Sequence, residues 1–283
     1  MRHILGAMLA LSLAAPAAAK DIVFVTTSSV SDKPQVSLDP AQAYVLVRAD
    51  APTALHLMRM PNAEDQAAYD KLRAEALAKA REKYAKKRAA YERAKAAAAK
   101  AKGNASLPVP PEPIEPTESN FEFTAFGLMA GVPIGPTYRF AKQDGGFSTY
   151  LQAVTPGRYR IYGPIAVFGS QGVVGSCLCM GSVAFEAKVG EITDLGTMLV
   201  KPQQDAAADA DPVRVAVTAF RIQPATAETP VDPRLKAMTI RSAAYRPVGK
   251  LPNYFGVAID RLPEIPGVMR YDRDRIIDLT AQD

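Results

Sequence analysis

The stretch that decides the fold is Ser182-Val183-Ala184-Phe185-Glu186-Ala187-Lys188-Val189. Val183, Phe185, Ala187 and Val189 alternate with Ser182, Ala184, Glu186 and Lys188. That period of two belongs to a β-strand with one face turned to a core. Gly190-Glu191 turns the chain, and Leu195 to Val200 continues as a second strand. Upstream, Phe147 to Val154 reads as a strand, Thr155-Pro156-Gly157 as a turn, and Arg158-Tyr159-Arg160-Ile161-Tyr162 as a strand with two chemically different faces. Ile161 to Ala187 is apolar enough to suggest a membrane span, but glycines and a proline interrupt it, so it reads as strands.

The same texture opens the chain. Ile22 to Val25, Tyr44 to Val47 and Leu55 to Met58 are short apolar runs separated by Ser28-Ser29, Asp32-Lys33-Pro34 and Asp39-Pro40. Phe121 and Phe123 alternate with Glu122 and Thr124, which predicts a return to strand. Val213 to Ile222, Phe255 to Ile259 and Arg275 to Leu279 are further strand candidates, with a polar, alanine-rich loop from Gln203 to Asp211. Repeated short strands with Gly/Pro turns predict a mainly-β protein with a sandwich core.

Between these β segments the composition changes abruptly. Asn62 is a candidate N-cap, with Glu64 and Asp65 where a helix dipole favours acid. From there to Lys102 there is no Gly or Pro, and Ala, Lys, Arg and Glu dominate, which predicts one long helix rather than a helical hairpin. Gly103-Asn104 is a natural stop. Leu77, Tyr84, Tyr91 and Ala98 recur at sevens beside Ala80, Ala94 and Ala101, a narrow seam interrupted by Lys87. Pro108, Pro110, Pro111, Pro113 and Pro116 follow as an extended, semi-rigid connector. The expected organisation is a leader over 1–19 and a sandwich over 20–202, interrupted by the helical insertion 62–103 and the proline connector 104–118. The β-rich segment 203–283 either completes that sandwich or packs beside it.

The leader reading rests on basic Arg2 and His3, the apolar run Ile4 to Ala15, and Ala17-Ala18-Ala19 before Lys20. This is the pattern of a secretory signal peptide, too short to span a bilayer. Export, to a periplasm or the exterior of a bacterial envelope, excludes nucleotide cofactors and nucleic acid as partners. The net charge of +5 is unevenly placed: residues 63–103 carry twelve Lys/Arg and six Asp/Glu, so the basicity belongs to one segment.

The order Tyr44-Val45-Leu46-Val47, then Thr155-Pro156-Gly157-Arg158-Tyr159-Arg160-Ile161, then Phe185-Glu186-Ala187-Lys188-Val189-Gly190-Glu191 resembles small exported bacterial β-sandwich domains of the transthyretin-like and PEGA-like kind. The resemblance implies a binding or structural module without catalysis, and the long helix departs from it. It carries over no functional residue.

The chemical inventory agrees with that class. After the leader there is one histidine, His56, set in an apolar strand. No Ser-x-x-Lys, Gly-x-Ser-x-Gly or His-Glu-x-x-His motif occurs, and no catalytic, cofactor-binding or metal-ligating residue is assigned. Gly127 to Pro136 has glycine at every fourth position but no lysine of a phosphate loop. Cys177 and Cys179 are the only cysteines. Three readings stay open for them: a bulged disulfide, two buried thiols, or metal or redox work. Asp272, Asp274 and Asp278, with Asp260, are the densest acidic cluster. They are read as solvated partners of Arg273 and Arg275, with a carboxylate hydrolase of carbohydrates as the alternative.

The basic helix is the main candidate, through Leu77, Tyr84, Lys86, Lys87, Arg88 and Tyr91. It is a spacer, a contact for an anionic envelope component or acidic partner, or one strand of a coiled coil. A sandwich binding a small ligand or an edge peptide is a third functional class.

Overall fold

The computed structural model describes residues 22–101, 108–142, 146–167, 172–200 and 220–281. The leader, Gly103-Asn104, the loop Gln203 to Asp211 and most of the Val213 to Ile222 stretch lie outside the described residues.

The fold is mainly β, two packed sheets with one long helix inserted between strands. In chain order the elements are β1 (Thr27–Ser29), β2 (Ala43–Ala49), β3 (Leu55–Arg59), α1 (Ala63–Lys100), the single turn α2 (Phe126–Met129), β4 (Gly131–Ile134) and β5 (Ala141–Lys142). There follow β6 (Ser148–Val154), β7 (Gly157–Gly163), β8 (Ile165–Val167), β9 (Val173–Cys177), β10 (Ser182–Ala187) and β11 (Glu191–Leu199). The last are β12 (Arg221–Gln223), β13 (Thr239–Ser242), β14 (Arg246–Val248), β15 (Ala258–Ile259), β16 (Met269–Asp272) and β17 (Arg275–Asp278).

The first sheet runs β1-β6-β2-β11-β12, with β5 also on β6 and β13 also on β11; the second runs β14-β10-β7-β3-β4. A three-stranded sheet, β15-β9-β8, and the hairpin β16-β17 flank them. Val183, Phe185 and Ala187 from β10 meet Val45 and Val47 from β2, Leu55 and Leu57 from β3, and Tyr159 and Ile161 from β7 in one core between the sheets. The alternation read at 182–189 therefore marks the inner face, although Val189 lies beyond the strand and is exposed. Tyr159 enters this core and donates its hydroxyl to the Thr155 carbonyl at 2.5 Å, pinning the turn between the sheets.

The C-terminal segment completes the sandwich. β12 and β13 pair with β11, β14 pairs with β10, and Tyr245, Leu262, Ile265 and Met269 join the central core. Two strand expectations are corrected. Ile22 to Val25 is not a strand, and neither is Phe121 to Thr124: Phe24 and Phe123 serve an aromatic cluster described below, and Phe121 stacks on Phe123. From Phe255 to Ile259 only Ala258–Ile259 is strand.

The central strand β2 is buried on both faces, and it carries an arginine. Arg48 makes a bidentate pair with Asp194 of the parallel neighbour β11, Nη1–Oδ1 at 2.8 Å and Nη2–Oδ2 at 3.0 Å, and donates to the Pro230 carbonyl at 2.8 Å. The register of the two strands shifts between Asp194 and Thr197. Gly196 in that bulge has φ +82° and lies so close to Gln223 that a Cβ would strike its carbonyl.

Cys177 and Cys179 are disulfide-bonded, with Cα atoms 5.0 Å apart. β9 ends at Cys177, and Cys179 sits in the following turn. That turn is fixed by Leu178 N donating to Tyr162 O at 2.8 Å and Met180 N to Asp260 O at 2.9 Å.

Replacing Arg48 with Ala strands a buried Asp194 carboxylate. The expected loss is about 3–5 kcal/mol of unfolding free energy, read from denaturant midpoints. The double variant Arg48→Met/Asp194→Leu is expected to recover most of it. Recovery absent from the double variant would mean that packing, not charge, sets the cost.

Candidate functional site

The long helix α1 is capped as its sequence demands. Asp65 N donates to Asn62 Oδ1 at 2.8 Å, and Asn62 N donates back to Asp65 Oδ2 at 3.0 Å, a capping box. Its 38 residues reach about 57 Å at 1.5 Å per residue.

The root is anchored twice. Arg59, the last residue of β3, donates to Asp65 Oδ2 at 2.6 Å, to Phe24 O at 3.2 Å and to Pro156 O at 3.4 Å. One turn higher, Tyr69 packs with Phe24, Phe123 and Phe126, centroids 5.5–6.4 Å away. Its hydroxyl donates to Thr124 O at 3.1 Å.

Above the root, the partner of the helix is the proline segment of its own chain. Three arginines hold it. Arg73 pairs with the Glu118 carboxylate and donates to the Glu118 carbonyl at 2.7 Å. Arg81 donates to Pro116 O at 3.2 Å, and Arg88 pairs with Glu112 and with Glu92. As the helix number falls from 88 to 73, the strap number rises from 112 to 118, so the two run antiparallel. Fifteen helical residues rise about 22 Å, and six polyproline II residues rise about 19 Å. The lengths match, which allows continuous contact.

The chemistry of the strap explains why arginine holds it. A polyproline II backbone has no internal hydrogen bonds, and its carbonyls need donors. The planar guanidinium serves a carboxylate and a carbonyl together, as Arg73 does. With three residues per turn, Glu112, Glu115 and Glu118 follow one edge of the strap. Pro113 and Pro116 follow another and are half-buried against Ala80, Tyr84 and the stems of Lys83 and Lys87, while Ile114 points out, 85 % exposed. Asn120 closes the lower end, accepting from Thr117 N at 2.7 Å and donating to Glu115 O at 2.9 Å. The Arg88 hydrogen bond holds the Glu112 carboxyl below the usual carboxylate range.

The expected contact residues separate into two sets. Leu77, the one buried helix residue, lies on the strap face between Arg73 and Arg81, with half-buried Tyr84 and Arg88 in line above it. Tyr91 continues the stripe, with the Arg88 guanidinium and the Lys95 ammonium 5.4 and 5.6 Å from its ring centre. The seam predicted for a second helix is thus occupied in cis. Lys86 and Lys87 are exposed, as are Lys71, Lys79, Lys83, Lys95 and Lys100. From Lys79 to Lys100 there are nine Lys/Arg against Glu82 and Glu92, so the distal arm carries the charge. The sequence showed the seam and the charge; the four strap glutamates, Glu112, Glu115, Glu118 and Glu122, with no Lys or Arg between 108 and 124, were the overlooked signal of its partner.

The remaining candidates disperse. Asp272 and Asp274 belong to the β16-β17 hairpin, where Arg273 takes φ +56°. Asp272 faces Arg275 across the hairpin and Asp278 faces Met269. Arg275 and Asp278 are three apart on one strand, so Asp272 and Asp278 point to opposite faces. Asp274 and Asp278 line an open depression with Lys250 and Arg275, and Asp278 accepts from Thr280 N at 2.8 Å and Oγ1 at 2.6 Å. Among the described residues no group of three His, Cys, Asp or Glu is placed to hold a metal, and no helix is long and apolar enough to cross a membrane.

His56 is buried, and neither ring nitrogen has a hydrogen-bond partner. It packs edge-on to Phe255, 5.1 Å between centroids, and Gly131 is required opposite, since a Cβ there would sit 2.6 Å from Nε2. Burial lowers its pKa from 6.5 to about 4.

Two outcomes are expected. A histidine neutral in the fold contributes its full stability above pH 6.5, and loses it as pH falls from 6.5 towards 4, in total about 3 kcal/mol. The variant His56→Leu should flatten that part of the pH–stability curve; an unchanged slope would assign the acid sensitivity elsewhere. Leu77→Ala should cost the arm about 2–5 kcal/mol. Amide exchange should rise in α1 and the strap while β2 and β11 stay protected; a uniform rise would show arm and sandwich to be one cooperative unit.

No protein-family model, curated protein or solved structure matches this chain.

Proposed function

We propose that this chain is a non-enzymatic exported protein of the cell envelope. In this reading the sandwich is the scaffold and the helix with its strap is a projecting arm that contacts an anionic envelope component. The observation that carries it is the sorting of the cations along α1. Three arginines are spent on the strap, and every lysine of the helix faces water. With the apolar seam covered, the arm presents mobile point charges and little apolar surface, which suits phosphate-bearing lipid or glycolipid rather than a shape-matched helix. The arm lacks the Trp/Phe/Leu face that would bury it in a bilayer, so contact is at the surface. The leader pattern and the resemblance to exported sandwich domains support the compartment.

The test is co-sedimentation with vesicles of anionic lipid in a zwitterionic background, at low and at moderate salt. Each exposed lysine near such a surface contributes about 1 kcal/mol. Lys83→Glu/Lys86→Glu/Lys87→Glu should therefore weaken binding at least about a hundredfold at low salt, with helicity unchanged. Wild-type binding should fall steeply as salt shortens the screening length. Binding indifferent to both salt and charge reversal would refute the reading. A deletion control must remove strap and helix together, because the helix alone would leave Pro113 and Pro116 uncovered.

A further inference from the structure

The strap covers the apolar seam of α1 but leaves a groove along one of its own flanks. Around the helix, Arg81 and Arg88 stand on one side of Tyr84, and Ala80, Lys83 and Lys87 on the other. Glu112, Glu115 and Glu118 share one edge of the strap, and Arg88 draws that edge to the arginine side through Glu112. The lysine flank therefore meets the other strap edges. Between them lies a groove of about 300 Å³, and no carboxylate lines it.

Burial sorts the lining. Ala80, Tyr84, Pro113 and Pro116 are half-buried and form the floor, while Lys83, Lys87 and Ile114 are exposed and form the rims. Ile114, at 85 %, is the most exposed large apolar side chain among the described residues. It adds little to the cohesion of the arm, but it extends the apolar floor into one surface. Lys83 and Lys87 are one helical turn apart, with Cβ atoms about 6 Å from each other, so both ammonium groups reach a single oxyanion. Among the described residues neither makes a hydrogen bond or an ion pair. The helix offers them no acid either: the positions three and four places away hold Lys79, Ala80, Tyr84, Lys86, Ala90 and Tyr91.

We infer that this groove seats one anionic amphiphile, a phosphate monoester carrying an alkyl chain. The phosphate lies between Lys83 and Lys87, and the chain lies along Pro113, Pro116 and Ile114. Two ammonium charges match the two negative charges of the ester, and a free phosphate would leave the apolar floor wet. The inference rests on the arm reading above and narrows it, from attraction spread over the arm to a seat for a single lipid. The lipid chain comes to the arm, so the arm itself stays at the surface.

The test is calorimetric titration of the full chain at low ionic strength with butyl phosphate and octyl phosphate, both kept below micelle formation. Inorganic phosphate and octylamine are the controls. Each buried methylene multiplies affinity about fourfold, so octyl phosphate should bind at least about tenfold more tightly than butyl phosphate. Inorganic phosphate should bind more weakly than either, and octylamine should not bind. Ile114→Ser should remove most of the chain-length preference and leave butyl phosphate binding nearly unchanged. Lys83→Gln/Lys87→Gln should weaken both esters at least about tenfold and keep the ratio between them. Misfolding cannot imitate that division of effects. Equal affinity for the two chain lengths, a preference that survives Ile114→Ser, or octylamine binding as tightly as octyl phosphate would overturn the groove. Salt-dependent vesicle binding that persists beside such a result would leave the arm reading standing without the groove; vesicle binding lost as well would overturn both.

Discussion

The guanidinium of Arg59 is the point on which the arm depends. Only Met60, Pro61 and Asn62 separate it from the first helical residue, so the helix leaves β3 without a flexible joint. Arg59 then grips the helix it has just launched, through Asp65, and grips Phe24 and Pro156 at the same time. Arg59 is 8 % exposed and Asp65 15 %, so water screens the pair little. Asp65 answers the N-cap as well as Arg59, which spreads one carboxylate over the two interactions that set helix direction. Gly157 lies where the arginine crosses the turn between the sheets, and a Cβ there would meet Nε at 2.9 Å. The direction of the arm is thus written into the seam between the two sheets rather than into the helix.

The strap solves a problem the helix creates. An isolated Ala/Lys/Arg helix with a thin apolar stripe has little to gain from burial and depends on propensity alone. Pairing it with a second helix would demand wider apolar residues than Ala80, Ala94 and Ala98. A polyproline strand is slimmer. Its fixed backbone torsions lower the entropy lost on docking, and its prolines sit against small side chains. The strap also brings acid to a basic helix, and the arginines take that acid while the lysines do not. The result is an arm whose internal cohesion and external charge rest on different residues, so one can be altered without the other.

Much of this was legible in the sequence where a local pattern carried the information. The alternation at 182–189, the cap at Asn62 and the uninterrupted helix-forming run to Lys100 each report their own conformation. Failures fall where tertiary contacts decide. Phe121 and Phe123 alternate like a strand, but Phe123 packs on Tyr69 and Phe121 stacks on Phe123. The choice among the readings open for Cys177 and Cys179 rests on the carbonyls of Tyr162 and Asp260, which fix the turn between them. Nothing local announces that β2 runs parallel to β11, that Arg48 finds Asp194 at 146 residues' distance, or that β14 brings Arg246 into line with Arg160. Register within a sheet decides such neighbours, and register is invisible in a single strand.

The insertion has one more consequence. β3 and β4 are antiparallel neighbours, Leu55 opposite Ile134 and Met58 opposite Gly131, and Arg59 N donates to Ala130 O at 3.0 Å. Everything from Met60 to Ala130 is therefore the connection of one β-hairpin. Loop-closure entropy rises only with the logarithm of length, about 0.6 kcal/mol per doubling, so a long connection costs the sheet little if it folds upon itself. It does so through the strap, and the chain ends meet at the base as a two-residue turn would require. β4 is also an edge, and Pro133 within it removes a donor that a foreign strand could use. An arm grown from an edge hairpin lengthens reach without disturbing the inner faces of the sheets. This explains how a sandwich can carry a charged projection of this size.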